Sequence, residues 1–392
     1  MDASLLEITL LCKVVDNFGD IGVVWRLCRQ IKKIRPDYTV NLITDNLEVF
    51  NKINDSVKIK IPCQTVENIN VYDWNDYDYC YKYFRQNDGE KLSIILECFQ
   101  CGRPDWMEKI LFEDKLNRTV NIVMIDYLTA EDYAETFHCL KSLTRSAKVQ
   151  KVNFMPGFTS KTGGLIIDDD WKVQPEYNKE GPAFIFTYER NWQGLASALE
   201  EWCKKSPEKQ VLLAQGRGFD SFKKAWLEKC KKSPEKLVEL SYLNQNDWDE
   251  TVKKSSVLFI RGEESMSRAC LSGIPFVWHA YPQSDEYQLV KVKALLERMR
   301  PHFDEADFEI VEKVWLEINN NVSFPGLTRE SVQDSDIQIV RSSRTMTQNV
   351  YAKFFRSIPR LVSGFRDFAL SLRKNGDLAY NLMTYIKKLA II

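Results

Sequence analysis

Short apolar runs, rich in valine and isoleucine, recur through the first half of the chain between polar or helical stretches. They lie at residues 5–11, 40–44, 57–62, 92–98, 120–125 and 148–155. A run of four to eight apolar residues is typical of a buried strand, and strands that alternate with helical patterns indicate a parallel sheet covered by helices. We therefore predict a Rossmann-like α/β domain in the first half.

A second series of the same kind follows. Strand patterns lie at residues 183–187, 211–214, 237–242, 257–260 and 276–279, and helical patterns at 193–203, 222–230, 248–253, 266–271, 286–298, 306–318 and 348–389. The repetition predicts two Rossmann-like domains that face a cleft, with a helical C-terminal tail.

The domain boundaries follow from composition. The segment 168–181 is acidic and then contains proline and glycine, which is typical of an interdomain linker. We place the N-terminal domain at residues 1–175 and the second domain at 180–364. The helices at about 365–392 are expected to pack back on the first domain.

Composition narrows the function and the compartment. The 392 residues include 54 lysines and arginines and 55 aspartates and glutamates, a net charge of −1, so no overall field draws the chain to nucleic acid or anionic lipid. The N-terminus lacks a basic leader, and no apolar run has membrane-spanning length. The ten cysteines are scattered, which is typical of reduced thiols, so we expect a cytoplasmic protein.

The first strand leads into the turn 12–22, which contains Gly19, Gly22 and two carboxylates, Asp16 and Asp20. Apolar residues between 23 and 31 then recur at helical spacing, so the segment is predicted as strand, glycine turn and helix, at the sheet edge where α/β proteins bind ligands. Carboxylates repel phosphate but suit acid–base chemistry. The alternative is purely structural, with Asp20 as a helix cap and Asp16 in the turn.

The segment 261–265, Arg-Gly-Glu-Glu-Ser, occupies the equivalent strand-to-helix position in the second half. One interpretation is an ordinary helix start, with two glutamates favoured by the helix dipole and Ser265 as cap. The other is ligand binding, in which Arg261 and the Ser265 N–H bind phosphate oxygens and a glutamate reaches a sugar.

Three aromatic residues lie at or just after predicted strand ends, namely Phe186, Tyr188 and Trp248. Aromatic side chains at such positions usually belong to the core. They also suit a sandwich around a nucleobase.

Other motifs carry weaker signals. The segment 216–221, Gly-Arg-Gly-Phe-Asp-Ser, lacks the third glycine of a dinucleotide fingerprint, which disfavours a dehydrogenase. Residues 98–101 form a lone Cys-x-x-Cys, and only His138, His279 and His302 are present, without metal-ligand spacing. No metal site and no catalytic triad are predicted.

Four segments, in order along the chain, resemble the EarP family, the protein-arginine rhamnosyltransferases that modify bacterial elongation factor P. Residues 13–27 resemble its N-terminal signature, and residues 156–165 its mid-chain motif. Residues 261–265 and 275–283 resemble its C-terminal signature.

The resemblance implies a GT-B glycosyltransferase with an N-terminal acceptor domain and a C-terminal donor domain. The donor would be dTDP-β-L-rhamnose and the acceptor an arginine of elongation factor P, which is thereby activated to rescue ribosomes stalled at polyproline. Transfer would invert the anomeric centre without a metal or other cofactor. The alternatives are a GT-B enzyme with another nucleotide sugar or acceptor, and a nonenzymatic nucleotide-binding protein of this fold.

The resemblance also implies residue roles. Asp20 matches the general base, Asp16 its partner carboxylate and Glu263 the essential glutamate. Two positions depart from the family, which usually has Phe where Trp248 stands and Asp where Glu264 stands. The implied donor-binding residues are Asn17, Gly19, Phe186, Tyr188, Gln245, Trp248, Arg261, Glu263, Glu264 and Ser265.

Overall fold

The chain forms two compact units in a computed structural model. The structure describes residues 6–15, 18–86, 90–114, 116–174, 176–231, 233–283, 285–320 and 334–390. Unit 1 comprises Met1–Trp171 and Leu372–Ile392, and unit 2 comprises Lys172–Ser371. The boundaries between the units therefore lie at 171/172 and 371/372, whereas the sequence analysis placed them at 175–180 and 364–365.

Unit 1 contains an eight-stranded sheet in the order β3-β4-β2-β1-β5-β6-β8-β7. Its inner strands are parallel, while β3 and β7 pair antiparallel at the two edges. The strands are β1 Glu7–Cys12, β2 Thr39–Thr44, β3 Cys63–Val66, β4 Ile69–Asp73, β5 Ile94–Cys98, β6 Val120–Ile125, β7 Lys141–Ser142 and β8 Val149–Phe154.

Helices cover both faces of this sheet. Successive residues of a strand point to opposite faces, so Leu10 enters the core beneath one helical layer and Leu11 the core beneath the other. The apolar runs of the sequence are therefore continuous because both faces are buried. The helices are α1 Phe18–Ile34, α2 Leu47–Ile53, α3 Tyr77–Phe84, α4 Asp105–Phe112 and α5 Tyr133–Phe137, with a 3₁₀ turn at Glu90–Leu92.

The predicted strand at residues 57–62 is wrong. Only Val57 of its apolar residues is buried, whereas Ile59 and Ile61 are each 45% exposed. The strands are instead β3 and β4, which a tight turn at Glu67 and Asn68 joins, with φ angles of 49° and 62°. In β3, at the edge of the sheet, only Val66 is buried, and polar residues interrupt the apolar residues of β4, so neither strand leaves a continuous apolar run in the sequence.

Unit 2 contains a five-stranded parallel sheet in the order β11-β10-β9-β12-β13. The chain moves outward from β9 in one direction, then returns to the other side of β9. Ligands of such sheets bind at this reversal, outside the carboxyl ends of the strands. The strands are β9 Ala183–Ile185, β10 Val211–Leu213, β11 Leu237–Glu239, β12 Val257–Arg261 and β13 Phe276–His279.

The helices of unit 2 follow the predicted alternation. The last of them is long and packs its aromatic residues on the sheet, where Phe365 lies 5.5 Å from Phe276 between ring centroids. The helices are α6 Gln193–Cys203, α7 Phe219–Lys229, α8 Gln245–Lys254, α9 Glu263–Ser272, α10 Tyr287–Met299, α11 Glu305–Asn319 and α12 Asp334–Arg373, with 3₁₀ turns at Pro234–Lys236 and Arg300–His302.

The final helix, α13 Leu378–Ala390, belongs to unit 1 and packs on α1. The mid-chain motif explains how it is held. The Asn381 side chain donates to the Gly163 carbonyl at 3.0 Å. A Cβ at Gly163 would lie 2.5 Å from the Phe154 ring and 2.8 Å from Leu378, so only glycine fits. The motif 156–165 is therefore a docking site for the end of the chain.

Across the described residues, no helix combines the length and the apolarity that a membrane crossing requires.

Candidate functional site

The carboxyl ends of β9 and β12 form the centre of the candidate site in unit 2. Phe186 and Tyr188 follow β9, and Arg261 is the last residue of β12. The guanidinium carbon of Arg261 lies 4.3 Å from the centroid of the Phe186 ring and 4.8 Å from that of Tyr188. Arg261 is 7% exposed, and its Nε has no hydrogen-bond partner among the described residues. A buried cation with an unused donor suits an anionic ligand.

Trp248 completes an aromatic cluster beside this arginine. Its ring meets Phe186 at 4.7 Å and Phe184 at 5.0 Å between centroids, both edge to face. A planar base held between two parallel rings needs about 7 Å, twice the usual van der Waals separation. The structure thus brings the predicted stacking residues together, and a sandwich would require one ring to rotate.

The loop after β12 presents backbone to a ligand. Gly262 has a φ of +75°, and nothing lies within 4 Å of the position that a Cβ would occupy. Glu263 begins α9, so Ser265 is the third residue of the helix and not its cap. The open backbone and the helix N-terminus at this edge suit an anion.

Glu264 and Gln245 lie in the first turns of helices α9 and α8. The Glu264 carboxylate lies 4.0 Å from Nε of Arg268, which is 1% exposed, within the same helix. Gln245 is the first residue of α8 and is 8% exposed. The side chain of Asn244 caps this helix by accepting from the Asp247 N–H at 2.9 Å.

His279 is a residue of this site that the sequence analysis did not select. Its Nδ1 accepts a hydrogen bond from the backbone N–H of Tyr188 at 3.3 Å. Burial, followed by the positive charges of Arg190 and Arg261, lowers its pKa from 6.5 to about 3. His279 is therefore a neutral acceptor that fixes the backbone of the Tyr188 loop, and its place at the end of β13 was the signal in the sequence.

The pH dependence of stability tests this role. Between pH 6.5 and about 3 the unfolded chain binds a proton at His279 that the folded chain does not. Stability therefore decreases as the pH is lowered through that window. From pH 7.5 to pH 5 this histidine should lower the free energy of unfolding by about 2 kcal/mol. His279→Asn, which keeps an acceptor, should remove that part of the difference in urea unfolding. Equal pH dependence in both proteins would contradict a buried neutral histidine.

Unit 1 carries the predicted acid–base residue. Asp20 is 3% exposed, and its Oδ2 accepts from the Val15 N–H at 2.8 Å. Asp45, directly after β2, accepts from the Val14 N–H at 2.8 Å. Two carboxylates thus hold consecutive amides of the segment that links β1 to α1. The sequence analysis missed Asp45, whose signal was a carboxylate at the end of the strand next to β1.

The predicted order of strand, turn and helix is confirmed. Helix α1 begins at Phe18, so Gly19 and Asp20 lie in its first turn, and Asp20 is the third residue of the helix and not its cap. Ile21 is fully buried, and its packing keeps this glycine-containing turn helical. Asp16 and Asn17 lie outside the described residues.

A buried thiol lies beside these carboxylates. Burial, and then the charge of Asp20, raises the pKa of Cys12 well above its usual value. The pKa of Cys101 is likewise raised by burial and by Glu97, to about 12. The raised pKa values favour the neutral thiol for both residues, which disfavours a role as nucleophile. Among the described residues, no group of three or more His, Cys, Asp or Glu is arranged to hold a metal ion.

Comparisons with known proteins agree with the fold and the predicted family. The sequence profile of the family described as Elongation-Factor P (EF-P) rhamnosyltransferase EarP matches residues 8–387. A protein-arginine rhamnosyltransferase of Shewanella oneidensis is 28% identical over 327 residues, which cover 73% of this chain and 79% of the relative. One of Pseudomonas aeruginosa is 26% identical over 313 residues, covering 74% and 80%.

A solved structure that concerns EarP-mediated arginine glycosylation of translation elongation factor EF-P has the same fold. It matches 97% of this chain and 98% of its own, with a TM-score of 0.55 and 16% identity. The predicted α/β class, GT-B with C-terminal helices, is confirmed, while the cleft between the halves stays a prediction. The chain belongs to the EarP family of protein-arginine rhamnosyltransferases, which are glycosyltransferases.

Proposed function

We propose that this protein transfers L-rhamnose from dTDP-β-L-rhamnose to an arginine side chain of elongation factor P, with inversion at the anomeric carbon. The observation that carries the proposal is the buried Arg261 between the Phe186 and Tyr188 rings, at the strand ends where this fold binds nucleotides. The relatives named above act on protein arginine, and the comparison structure concerns EF-P. Because the acceptor is a translation factor that rescues ribosomes stalled at polyproline, we place the enzyme in the cytoplasm.

On the donor side, the leaving dTDP gains negative charge as the glycosidic bond breaks. Arg261 and the backbone amides at the start of α9 would stabilise that charge. This cationic edge replaces the metal that other glycosyltransferases use, so the proposed reaction needs no cofactor. Phe186 and Trp248 would hold the thymine, and Tyr188 the sugar or phosphate.

On the acceptor side, arginine is a poor nucleophile. Its guanidinium has a pKa above 12 and no free lone pair, so deprotonation before attack is unfavourable at neutral pH. Asp20 would accept the proton while the C–N bond forms, and the carboxylate of Asp16 would hold the guanidinium by charge-assisted hydrogen bonds. Two carboxylates at this place would also select arginine by charge.

The remaining predicted residues have smaller proposed roles. Glu263 would orient the sugar, and Gln245 and Ser265 would contact the nucleotide. Gly19 and Asn17 would let the donor approach the start of α1. For Glu264 the contact with buried Arg268 favours support of α9 over a direct contact with the donor.

The proposal is tested by transfer itself. The purified protein is incubated with EF-P and dTDP-β-L-rhamnose, and intact-mass spectrometry should reveal one added deoxyhexose. An EF-P variant with lysine at the modified arginine is the matched acceptor control. Transfer from UDP-glucose or GDP-mannose instead would establish a GT-B enzyme of different donor. Selective binding of dTDP without transfer of any sugar would favour a nonenzymatic nucleotide-binding protein.

Trp248→Ala tests the base site. Loss of one stacked aromatic should weaken dTDP-β-L-rhamnose binding about 10- to 100-fold in calorimetry, because base stacking contributes about 1–3 kcal/mol. Trp248→Phe, which restores the ring usual in the family, should bind nearly as well as the wild type. NAD serves as the unrelated nucleotide. Unchanged affinity in Trp248→Ala would remove the indole from the donor site.

A further inference from the structure

The Gly-Arg-Gly segment at residues 216–218, which the sequence analysis set aside as a poor dinucleotide fingerprint, packs directly on the candidate site. A Cβ at Gly216 would lie 2.9 Å from a ring carbon of Phe186 and 3.3 Å from Nη2 of Arg261. The Gly218 N–H donates to the Thr187 carbonyl at 3.0 Å, and a Cβ at Gly218 would lie 2.5 Å from that oxygen. Only glycine allows this close approach, and the two contacts fix the position of Arg217 between them.

Arg217 extends across the site. Its guanidinium carbon lies 5.7 Å from the ring centroid of Tyr281, which follows β13. Arg217 itself follows β10, and β9 and β12 separate β10 from β13 in the sheet. The loop after β10 therefore crosses the ends of β9 and β12, where Gly216 lies against Phe186 and Arg261, and this brings Arg217 to Tyr281.

Those intervening strand ends carry the donor-site residues. The Tyr281 ring contacts Tyr188 edge to face at 5.4 Å, and Tyr188 lies 4.8 Å from the guanidinium carbon of Arg261. The exposed cation of Arg217 and the buried cation of Arg261 are therefore connected through the contacting rings of Tyr281 and Tyr188.

We propose that Arg217 binds the diphosphate of the nucleotide donor together with Arg261. A diphosphate carries negative charge on both phosphates, and the buried cation of Arg261 alone neutralises only part of that charge. The planar guanidinium can donate two parallel hydrogen bonds to a phosphate. The contact with Tyr281 positions the Arg217 guanidinium, and because that side chain is exposed, the contact carries little desolvation cost. This inference rests on the proposed function, since it assumes a nucleoside diphosphate donor.

The experiment measures binding of dTDP by calorimetry and of thymidine by ligand-observed NMR, in the wild type and in Arg217→Met. Loss of a charge-assisted contact should weaken dTDP about tenfold or more, while thymidine, which lacks phosphate, should bind equally. Arg217→Lys should recover part of the dTDP affinity. Lys224→Met, which removes an exposed cation further along α7, is the matched charge control and should bind dTDP as the wild type does.

The outcomes separate the two proposals. If the wild type binds dTDP and transfers rhamnose while Arg217→Met binds dTDP equally well, the role of Arg217 is wrong and the proposed function stands. If Arg217→Met weakens thymidine as much as dTDP, the arginine supports the loop and does not bind phosphate. If the wild type does not bind dTDP at all, both proposals are wrong.

Discussion

Asp20→Asn is expected to lower the rate of arginine rhamnosylation about 10²- to 10⁴-fold, the usual contribution of a general base. The substitution removes the proton acceptor and keeps an oxygen that can accept from the Val15 N–H, so the segment between β1 and α1 should keep its conformation. The aromatic and arginine residues predicted to bind the donor lie in unit 2, and dTDP-rhamnose should therefore bind with nearly unchanged affinity. Single-turnover transfer and calorimetry measure the two quantities separately.

Asp45→Asn is the matched control. Asp45 holds the neighbouring Val14 N–H in the same way, and an asparagine keeps that hydrogen bond as well. If the Asp20 carboxylate acts on the acceptor, Asp45→Asn should retain transfer within about tenfold of the wild type, because no proton transfer is assigned to it. Comparable losses in both variants would mean that the two carboxylates only support the loop, and the acid–base role of Asp20 would be wrong.

Most of the fold was predictable because parallel strands that are buried on both faces leave continuous apolar runs in the sequence. Residues 40–44, 120–125 and 276–279 coincide with strands β2, β6 and β13 within one residue. The hairpin at Cys63–Asp73 was not predictable in this way, since polar residues interrupt both of its strands. The order of strand, turn and helix at residues 7–34 was predictable, but the start of α1 at Phe18 was not, because intrinsic propensity disfavours the glycines of its first turns.

The sequence predicted which residues form the site better than it predicted how their side chains are arranged. Phe186, Tyr188 and Arg261 could be selected because each lies at the end of a strand, and the structure brings their side chains together. The edge-on contact of Trp248 with Phe186 depends on side-chain torsions that no sequence pattern encodes. His279 also lies at the end of a strand, but its role as a buried acceptor for the Tyr188 N–H depends on packing that the sequence pattern does not encode.

Arg261→Met is expected to lower transfer about 10²- to 10³-fold, the usual effect of removing a donor that stabilises developing charge, and to weaken dTDP binding. Stability should behave differently. The arginine is 7% exposed, and its Nε has no partner in the described part of the chain, so the folded protein carries a buried, incompletely bonded cation. Methionine fills similar space without a charge. Urea unfolding should therefore give a free energy equal to or above that of the wild type.

Opposite signs for activity and stability are the signature of a residue retained for ligand binding. Arg261→Lys sharpens the test, because lysine keeps the charge and loses the planar group that lies against the Phe186 and Tyr188 rings. It should fall between the wild type and Arg261→Met in dTDP affinity. If Arg261→Met instead unfolds at markedly lower urea and keeps its dTDP affinity, the guanidinium serves to pack the two rings, and the phosphate of the donor must be bound elsewhere in unit 2.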